Sequence, residues 1–415
     1  MAKKYTLAQW KEELKVVFDG VEYDRHIELI RSFETTFGEG REISLFSAPG
    51  RTEIGGNHTD HQNGCVLAAA VDLDTVAAVS LNGENVIRIQ SQGYPLCTVD
   101  LNDLRVRKEE ENTTPALIRG VAAAFSQMGC RIQGFDAYVV SNVLRGSGLS
   151  SSAAFEVLMG VILNGLFFDG RTDAVKIAQI GQYAENVYFG KPCGLMDQMA
   201  SSVGNLVFID FCDPKDPAVR KINFDFSKTN HSLCIIDSGA DHADLTEEYA
   251  AIPGELKTIC GYFGKSVLRE VPRKEFYAAI PQLRKLAGDR AVLRGMHFYD
   301  EDQRVCREAE ALGNGDFDQF LKLVGQSGQS SWMYLQNVIP AGSTKHQEVA
   351  LALALCREHL AGRGAYRVHG GGFAGTVQAF VPNDILDSFQ KAVEAVLGQG
   401  SCHVLSIRPV GGMAF

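Results

Sequence analysis

The sequence predicts an α+β protein of two units, and three observations carry that reading. The chain has 415 residues, of which 45% are apolar and 22% charged, enough for more than one ordinary core and typical of a globular enzyme. Short apolar runs bounded by turn residues are interspersed with helical patterns along the whole length. The stretch "DPKDPAVRKINFDFSKTN" has turn chemistry and few apolar residues, and it separates the strand-like segments 205–210 and 231–237. The boundary therefore falls near there, giving units 1–222 and 223–415.

The elements follow in order. Trp10, Leu14, Val17 and Phe18 recur at helical spacing, so residues 6–36 form one or two amphipathic helices. Residues 42–47 read as a strand, followed by the polar stretch "GRTEIGGNHTDHQNG" at 50–64 and strands at 65–71, 75–81 and 86–90. "FDAYVVSNV", 135–143, is a strand that runs into the glycine-rich "LRGSGLSSS". "SAAFEVLMGVILNGLFF" is a helix, and another at 173–189 stops at "GKP", where Gly and Pro both end helices. The second half carries helices at 244–262, 272–287, 300–311, 315–327 and 343–360, then a glycine-rich segment at 370–375. There is no internal repeat or heptad run.

Composition excludes several classes. A net charge of −10 repels phosphate backbones, so neither nucleic acid nor an anionic membrane is an expected partner. Ten cysteines are scattered with no CxxC pair. The start, "MAKKYTLAQWKEELK", lacks the apolar core of a signal peptide, and no run approaches a spanning helix. A cytoplasmic setting with free thiols is expected.

Four segments carry chemistry. In "VLRGSGLSSSAAF" a strand feeds a glycine turn and three serines open a helix. Helix N-termini bind phosphate, Gly146 and Gly148 permit close backbone approach, and the hydroxyls can ligate Mg²⁺ or simply cap the helix. It is neither a Walker loop, having no lysine at the required place, nor a GxSxG elbow. In "YAENVYFGKPCGLMDQMAS", Glu185 lies late in one helix and Asp197 opens the next. The two suit a metal ligand and a base, or Asp197 is only a capping charge. In "RVHGGGFAGTVQAFVP", consecutive glycines before a strand mark either a bulge or backbone packed on a ligand. The 50–64 stretch holds His58, Asp60 and His61, which suit a sugar pocket or a plain polar loop better than zinc, since no further His or Cys pair supports a metal.

Together and in this order, "FSAPGRTEIGGNHTDHQNG", "GSGLSSSA", "AEN…CGLMDQ", "EEY" at 247–249 and "GGGFAG" resemble the galactokinases of the GHMP small-molecule kinase superfamily. The resemblance spans nearly the whole chain. It implies a ribosomal-protein-S5-like N-terminal domain, a ferredoxin-like C-terminal domain whose last strand returns to the first, and an active site between them. It implies phosphorylation by ATP of the anomeric (C1) hydroxyl of a galactose-type hexose by a monomeric enzyme. By the same resemblance Gly146, Ser147, Gly148, Leu149, Ser150, Ser151 and Ser152 form the nucleotide loop, with Ser91 on the nucleotide side. Ser152 and Glu185 match the Mg²⁺ ligands, Asp197 the catalytic aspartate and Arg51 its arginine neighbour. Asn57, His58, Thr59, Asp60 and Tyr249 fall at sugar contacts.

The sugar motif departs from the family run. Glu53 stands where Asn is usual, Gly55 where Ile is usual, Asn57 where Glu is usual and His61 where Tyr is usual. Either Asn57 keeps a galactose contact, or Asn57 and His61 accept the C6 carboxylate of a uronate, as the shared "DHQ" of galacturonate kinases implies. After Tyr249 the family's arginine-rich continuation gives way to "AAIPGE". Some relatives are non-catalytic sugar and ATP sensors, which sugar-dependent ADP release separates from enzymes. Segment 272–330 carries no functional reading beyond amphipathic packing.

Overall fold

The two apolar runs 65–71 and 75–81 form one strand. In the computed structural model, which describes residues 2–144, 146–191, 193–240 and 245–415, Cys65–Leu81 is continuous and buried except around Asp72–Leu73 and at Leu81. Burial on both faces explains why the run is apolar rather than alternating.

In chain order the elements are α1 (Leu7–Val17), α2 (Gly20–Phe37), β1 (Ser44–Gly55), β2 (Cys65–Leu81), β3 (Val86–Ser91), β4 (Cys97–Asp100), α3 (Thr114–Gln127) and β5 (Phe135–Ser141). Then come α4 (Ser151–Phe167), α5 (Ala174–Tyr183), α6 (Met196–Val203), β6 (Leu206–Asp210), β7 (Ala218–Ile222) and β8 (His231–Asp237). The rest are α7 (Thr246–Tyr262), α8 (Arg273–Ala278), α9 (Ile280–Gly313), α10 (Phe317–Ser330), α11 (Glu348–Leu360), β9 (Ala365–His369), β10 (Thr376–Pro382), α12 (Leu386–Leu397), β11 (Cys402–Leu405) and β12 (Met413–Ala414).

The first sheet runs β12-β1-β2-β5-β3-β4, with β6 and β7 attached to β2. The second runs β11-β8-β10-β9. The chain end returns to the first sheet, where β12 pairs antiparallel with β1 through Phe46↔Ala414 and Ser47↔Met413. One apolar cluster joins the two layers, with Ile54, Leu67 and Leu149 packed with Leu233, Phe320 and Phe380.

Several elements differ from expectation. The polar stretch at 50 begins as strand, because β1 stays buried through Gly55. Its pairing with β2 shifts register at Pro49/Arg51 and again at Glu53/Gly55, and such bulges re-aim side chains. The turn-rich stretch after 212 contains β7, an edge strand whose exposed Arg220 and Lys221 lower its apolar signal. Helix 173–189 is α5 followed by a π-helical turn, Ala184–Phe189. Helices 272–287 and 300–311 are α8 and the long α9, interrupted at Gly288 (φ 85°). Asp244, the first residue of the predicted 244–262 helix, lies outside the described residues. Among the described residues no helix is long and apolar enough to cross a membrane.

Candidate active site

Arg51 sits between the two bulges of β1, and Asp197 opens α6. Their side chains meet as a two-pronged ion pair, Nε to Oδ1 at 2.7 Å and Nη2 to Oδ2 at 2.6 Å. This planar fork is the geometry in which a guanidinium holds a carboxylate most firmly. The third nitrogen, Nη1, donates to the Gly148 carbonyl, and the Arg51 amide donates to the Leu149 carbonyl at 3.0 Å. One arginine therefore ties the aspartate to the glycine-serine loop. Asp197 keeps its side chain 31% exposed, toward a cavity.

The loop itself needs its glycines. Gly146 and Gly148 have φ of 73° and 71°, which L side chains rarely adopt. A Cβ on Gly148 would also stand 3.1 Å from Nδ1 of His369, so the close approach there is to the β9 histidine. Ser147 donates to the Leu144 carbonyl at 2.8 Å, and Leu149 is fully buried. Ser150, at φ 55°, precedes α4 but makes no capping bond with its hydroxyl, so a plain N-cap does not account for it. Ser151 and Ser152 line a cavity of about 710 Å³ together with Ser91 and Phe155.

Glu185 falls in the π-helical turn after α5, a distortion that recurs at functional sites. It is 4% exposed. Gln198, next to Asp197, donates from one amide nitrogen to Glu185 and to Glu156, both at 2.9 Å. Ser152 and Glu156 are four residues apart on α4 and share a face, so Ser152 belongs to the same corner as Glu185. Burial and then the neighbouring Glu185 push the Glu156 carboxyl well above the usual range. Among the described residues no group of three or more His, Cys, Asp or Glu could hold a metal by itself. A hydroxyl and one carboxylate suit Mg²⁺, which takes hard oxygens and fills its shell from water and substrate phosphates.

A second cavity of about 200 Å³ lies beside Asp197, walled by Arg51, Glu53, His58, Asp60, His61 and Gly371 among others. His58 has φ 60° and bonds the Gly371 carbonyl through Nε2 at 2.9 Å. Burial and then the neighbouring His61 bring its pKa down to about 4, so Nε2 carries the proton of a neutral ring. Asp60 accepts the His61 amide at 2.9 Å and lies against Gly194, where a Cβ would fall 2.6 Å from its Oδ2. Tyr249 donates from its hydroxyl to the Gly372 carbonyl at 2.8 Å, and its ring covers Gly371.

Two residues expected at the sugar lie elsewhere. Asn57 is fully buried, and its amide is consumed by protein. Its Nδ2 donates to Glu53 at 3.1 Å and to the Gly370 carbonyl at 2.5 Å, while its Oδ1 accepts from Asn337 at 2.8 Å and Ser331 at 3.3 Å. Thr59 is fully buried too, its hydroxyl engaged with the carbonyls of Gly56 at 2.9 Å and Cys65 at 2.6 Å. Neither has a spare donor or acceptor aimed into the cavity. Of the four departures in this motif, Glu53 and His61 wall the cavity, and sequence reasoning noted Glu53 without giving it a role. Glu156, Gln198, Arg367 and His369 were missed as well. The i,i+4 step from Ser152 to Glu156 and the adjacency of Gln198 to Asp197 are signals that could have found two of them. The triple glycine is backbone packed on the sugar-side loop, since the carbonyls of Gly370, Gly371 and Gly372 accept from Asn57, His58 and Tyr249.

A two-sheet α+β frame with a glycine-serine loop, a buried carboxylate and an Arg–Asp pair between the layers defines a GHMP-type kinase. Residues 116–205 match the model of the GHMP kinases N terminal domain, and residues 31–81 match the galactokinase galactose-binding signature. The chain is 30% identical over 364 residues to a galactokinase of Streptomyces coelicolor, covering 87% of this chain and 90% of that one. It is also 30% identical over 375 residues to a galactokinase of Glaesserella parasuis, covering 87% and 91%. The crystal structure of Lactococcus lactis galactokinase complexed with galactose superposes with a TM-score of 0.77 at 25% identity, covering 92% of this chain and 98% of that one. Methanococcus jannaschii mevalonate kinase shares the fold, with a TM-score of 0.63 at 14% identity over 88% and 98% of the two chains. The chain belongs to the galactokinase family.

Proposed function

We propose that this chain transfers the γ-phosphoryl group of ATP to the anomeric (C1) hydroxyl of a galactose-type hexose, releasing the sugar 1-phosphate and ADP. The observation that carries the reading is the Arg51–Asp197 fork, standing between the glycine-serine loop and the small polar cavity. Phosphoryl transfer needs little covalent help from protein, so positioning and charge neutralisation decide the rate. The sugar occupies the 200 Å³ cavity and the nucleotide the 710 Å³ cavity. Asp197 accepts the anomeric proton or orients the hydroxyl. Arg51 fixes the rotamer of Asp197 and supplies positive charge beside the transferring group. His58, as a neutral donor spent on Gly371, holds the glycine turn closed over the sugar.

Ser152 and Glu185 would hold Mg²⁺, whose chemistry when bound is to neutralise charge on the nucleotide phosphates. We assign residues 1–222 and 223–415 as the two domains, with β12 completing the first sheet. The enzyme is assigned as a cytoplasmic monomer with a small-molecule partner. The uronate reading loses its support because the Asn57 amide that was to accept a C6 carboxylate is committed elsewhere. The sensor reading finds no damage in the loop or the Arg51–Asp197 pair. Sugar-dependent ADP release with Mg-ATP tests the assignment; nucleotide and sugar binding without ADP release would refute it.

A further inference from the structure

Glu53 is 5% exposed, and what surface it keeps belongs to the wall of the sugar-side cavity. Its Oε1 is fully engaged, paired with the buried guanidinium of Arg367 and accepting the Asn57 amide at 3.1 Å. Its other oxygen, Oε2, has no hydrogen-bond partner among the described residues, and it is not sealed away from the cavity as the unpartnered oxygens of Glu308 are. Arg367 is itself anchored by bonds to the carbonyls of Ile54 at 2.9 Å and Val368 at 3.0 Å. The carboxylate is therefore locked on one side and bare on the other, the arrangement of a fixed acceptor for a ligand O–H or N–H. The local charge balance adds a constraint. Three carboxylates, Glu53, Asp60 and Asp197, gather at the cavity, against two guanidiniums already paired, Arg51 and Arg367.

We propose that Glu53 is a specificity-determining residue: its free oxygen accepts a hydrogen bond from one non-anomeric hydroxyl of the sugar, and its charge bars hexoses that carry a carboxylate. The inference rests on the sugar-kinase reading above and assigns that site's selectivity. A site built to accept a hydroxyl penalises the analogue that lacks it, because the buried acceptor is then left bare. A role confined to pairing Arg367 would weaken the protein without making it care which hydroxyl is missing.

The test is kcat/KM with Mg-ATP for galactose, each of its 2-, 3-, 4- and 6-deoxy analogues, and galacturonate, using the full chain as wild type, Glu53→Gln and Glu53→Asp. In the wild type one deoxy analogue should fall about 10- to 100-fold below galactose, the range for a hydrogen bond to a charged group. In E53Q that same ratio should shrink to within about threefold while the other deoxy ratios stay put, and galacturonate should gain at least about tenfold relative to galactose. Ratios taken within one variant are insensitive to how much of it is folded. Should E53Q fail to fold, E53D keeps the charge for Arg367 but shortens the reach, and the same single ratio should move. Unchanged ratios for every analogue in the folded variants would overturn the proposal, as would wild-type turnover of galacturonate equal to that of galactose. A wild type that releases no ADP with any sugar refutes the kinase reading itself, a separate result seen before any variant is made.

Discussion

Exchanging the side chains at positions 53 and 57 is the most demanding perturbation of this site. Asn57→Glu alone places a second carboxylate against Glu53 Oε1 and the Gly370 carbonyl, at a position with no solvent exposure. Glu53→Asn alone strips the buried Arg367 of the carboxylate that pairs with it directly among the described residues. Leaving one buried charge uncompensated costs about 3–5 kcal/mol, so each single variant should lose about that much. Independent effects would sum to about 6–10 kcal/mol, comparable to the whole stability of a typical protein. The double variant E53N/N57E keeps one carboxylate and one amide in the same contact. It should lose no more than about 3 kcal/mol, a coupling of about 3 kcal/mol or more, at the top of the range for contacting residues. Urea unfolding followed by far-UV circular dichroism measures all four corners of the cycle. Additivity within about 0.5 kcal/mol would refute the claim that the two departures compensate each other.

Three further outcomes are expected. Asp197→Asn should lower kcat by at least a few hundred-fold, within the range of about 10²–10⁴ for a general base, while nucleotide affinity measured by equilibrium binding stays within about threefold; a near-wild-type kcat would remove Asp197 from the chemistry. Gly55→Ile would place its Cβ 1.9 Å from Glu308 Oε2, so it should destabilise by roughly 1–3 kcal/mol in urea unfolding, and adding Glu308→Ala should recover at least half by opening the space. No recovery would show that Glu308 does not fill the place of the missing side chain. His58 is held near pKa 4 in the folded chain against about 6.5 unfolded, so its neutral form stabilises fully above pH 6.5 and loses that contribution as the pH falls toward 4. The loss should reach at most about 3 kcal/mol, and His58→Gln should flatten the curve of unfolding free energy against pH across that window; an unchanged slope would refute the assignment.

What the sequence disclosed depended on how local the signal was. The turn that opens α4 was legible because glycines at 146 and 148 and serines at 150–152 are adjacent in the chain. The places of Asp197 at a helix start and of Glu185 at a helix end were legible because each sits beside a turn that glycine marks. Glu53 was not, because its role comes from Arg367, more than three hundred residues away, and from a bulge that sequence periodicity does not show. The surroundings of Asn57 were hidden for the same reason: apart from Glu53, the partners of its side chain, Gly370, Ser331 and Asn337, are all far away in the chain. The strand at 218–222 escaped because an edge strand carries charges where a central one carries valines.

Three of the four departures in the sugar motif, at 53, 55 and 57, are one connected arrangement, and the helices of 272–330 are what connect it. Glu308 of α9 reaches into the space that Gly55 leaves. Glu301, on the same face of α9 two turns earlier, accepts from the Gly56 amide at 3.2 Å and from Ser327 of α10 at 2.5 Å. His297 bonds the Asn57 carbonyl at 2.9 Å, and Asp302 accepts the Cys65 amide at 2.7 Å. The backbone from 55 to 65 is thus clamped from behind by α9 and α10, while Gly370 and Gly371 hold its side chains from the front. A loop held on both faces transmits a substitution to its neighbours instead of absorbing it, since packed interiors have little slack. With the acidic residue at 53, the amide at 57 donates to it, and the glycine at 55 admits the Glu308 side chain behind them. The Arg51–Asp197 pair that we propose for catalysis is tied to the glycine-serine loop instead, through Gly148 and Leu149. Recognition and chemistry share one strand but hang on different partners, which lets the first diverge while the second stays whole.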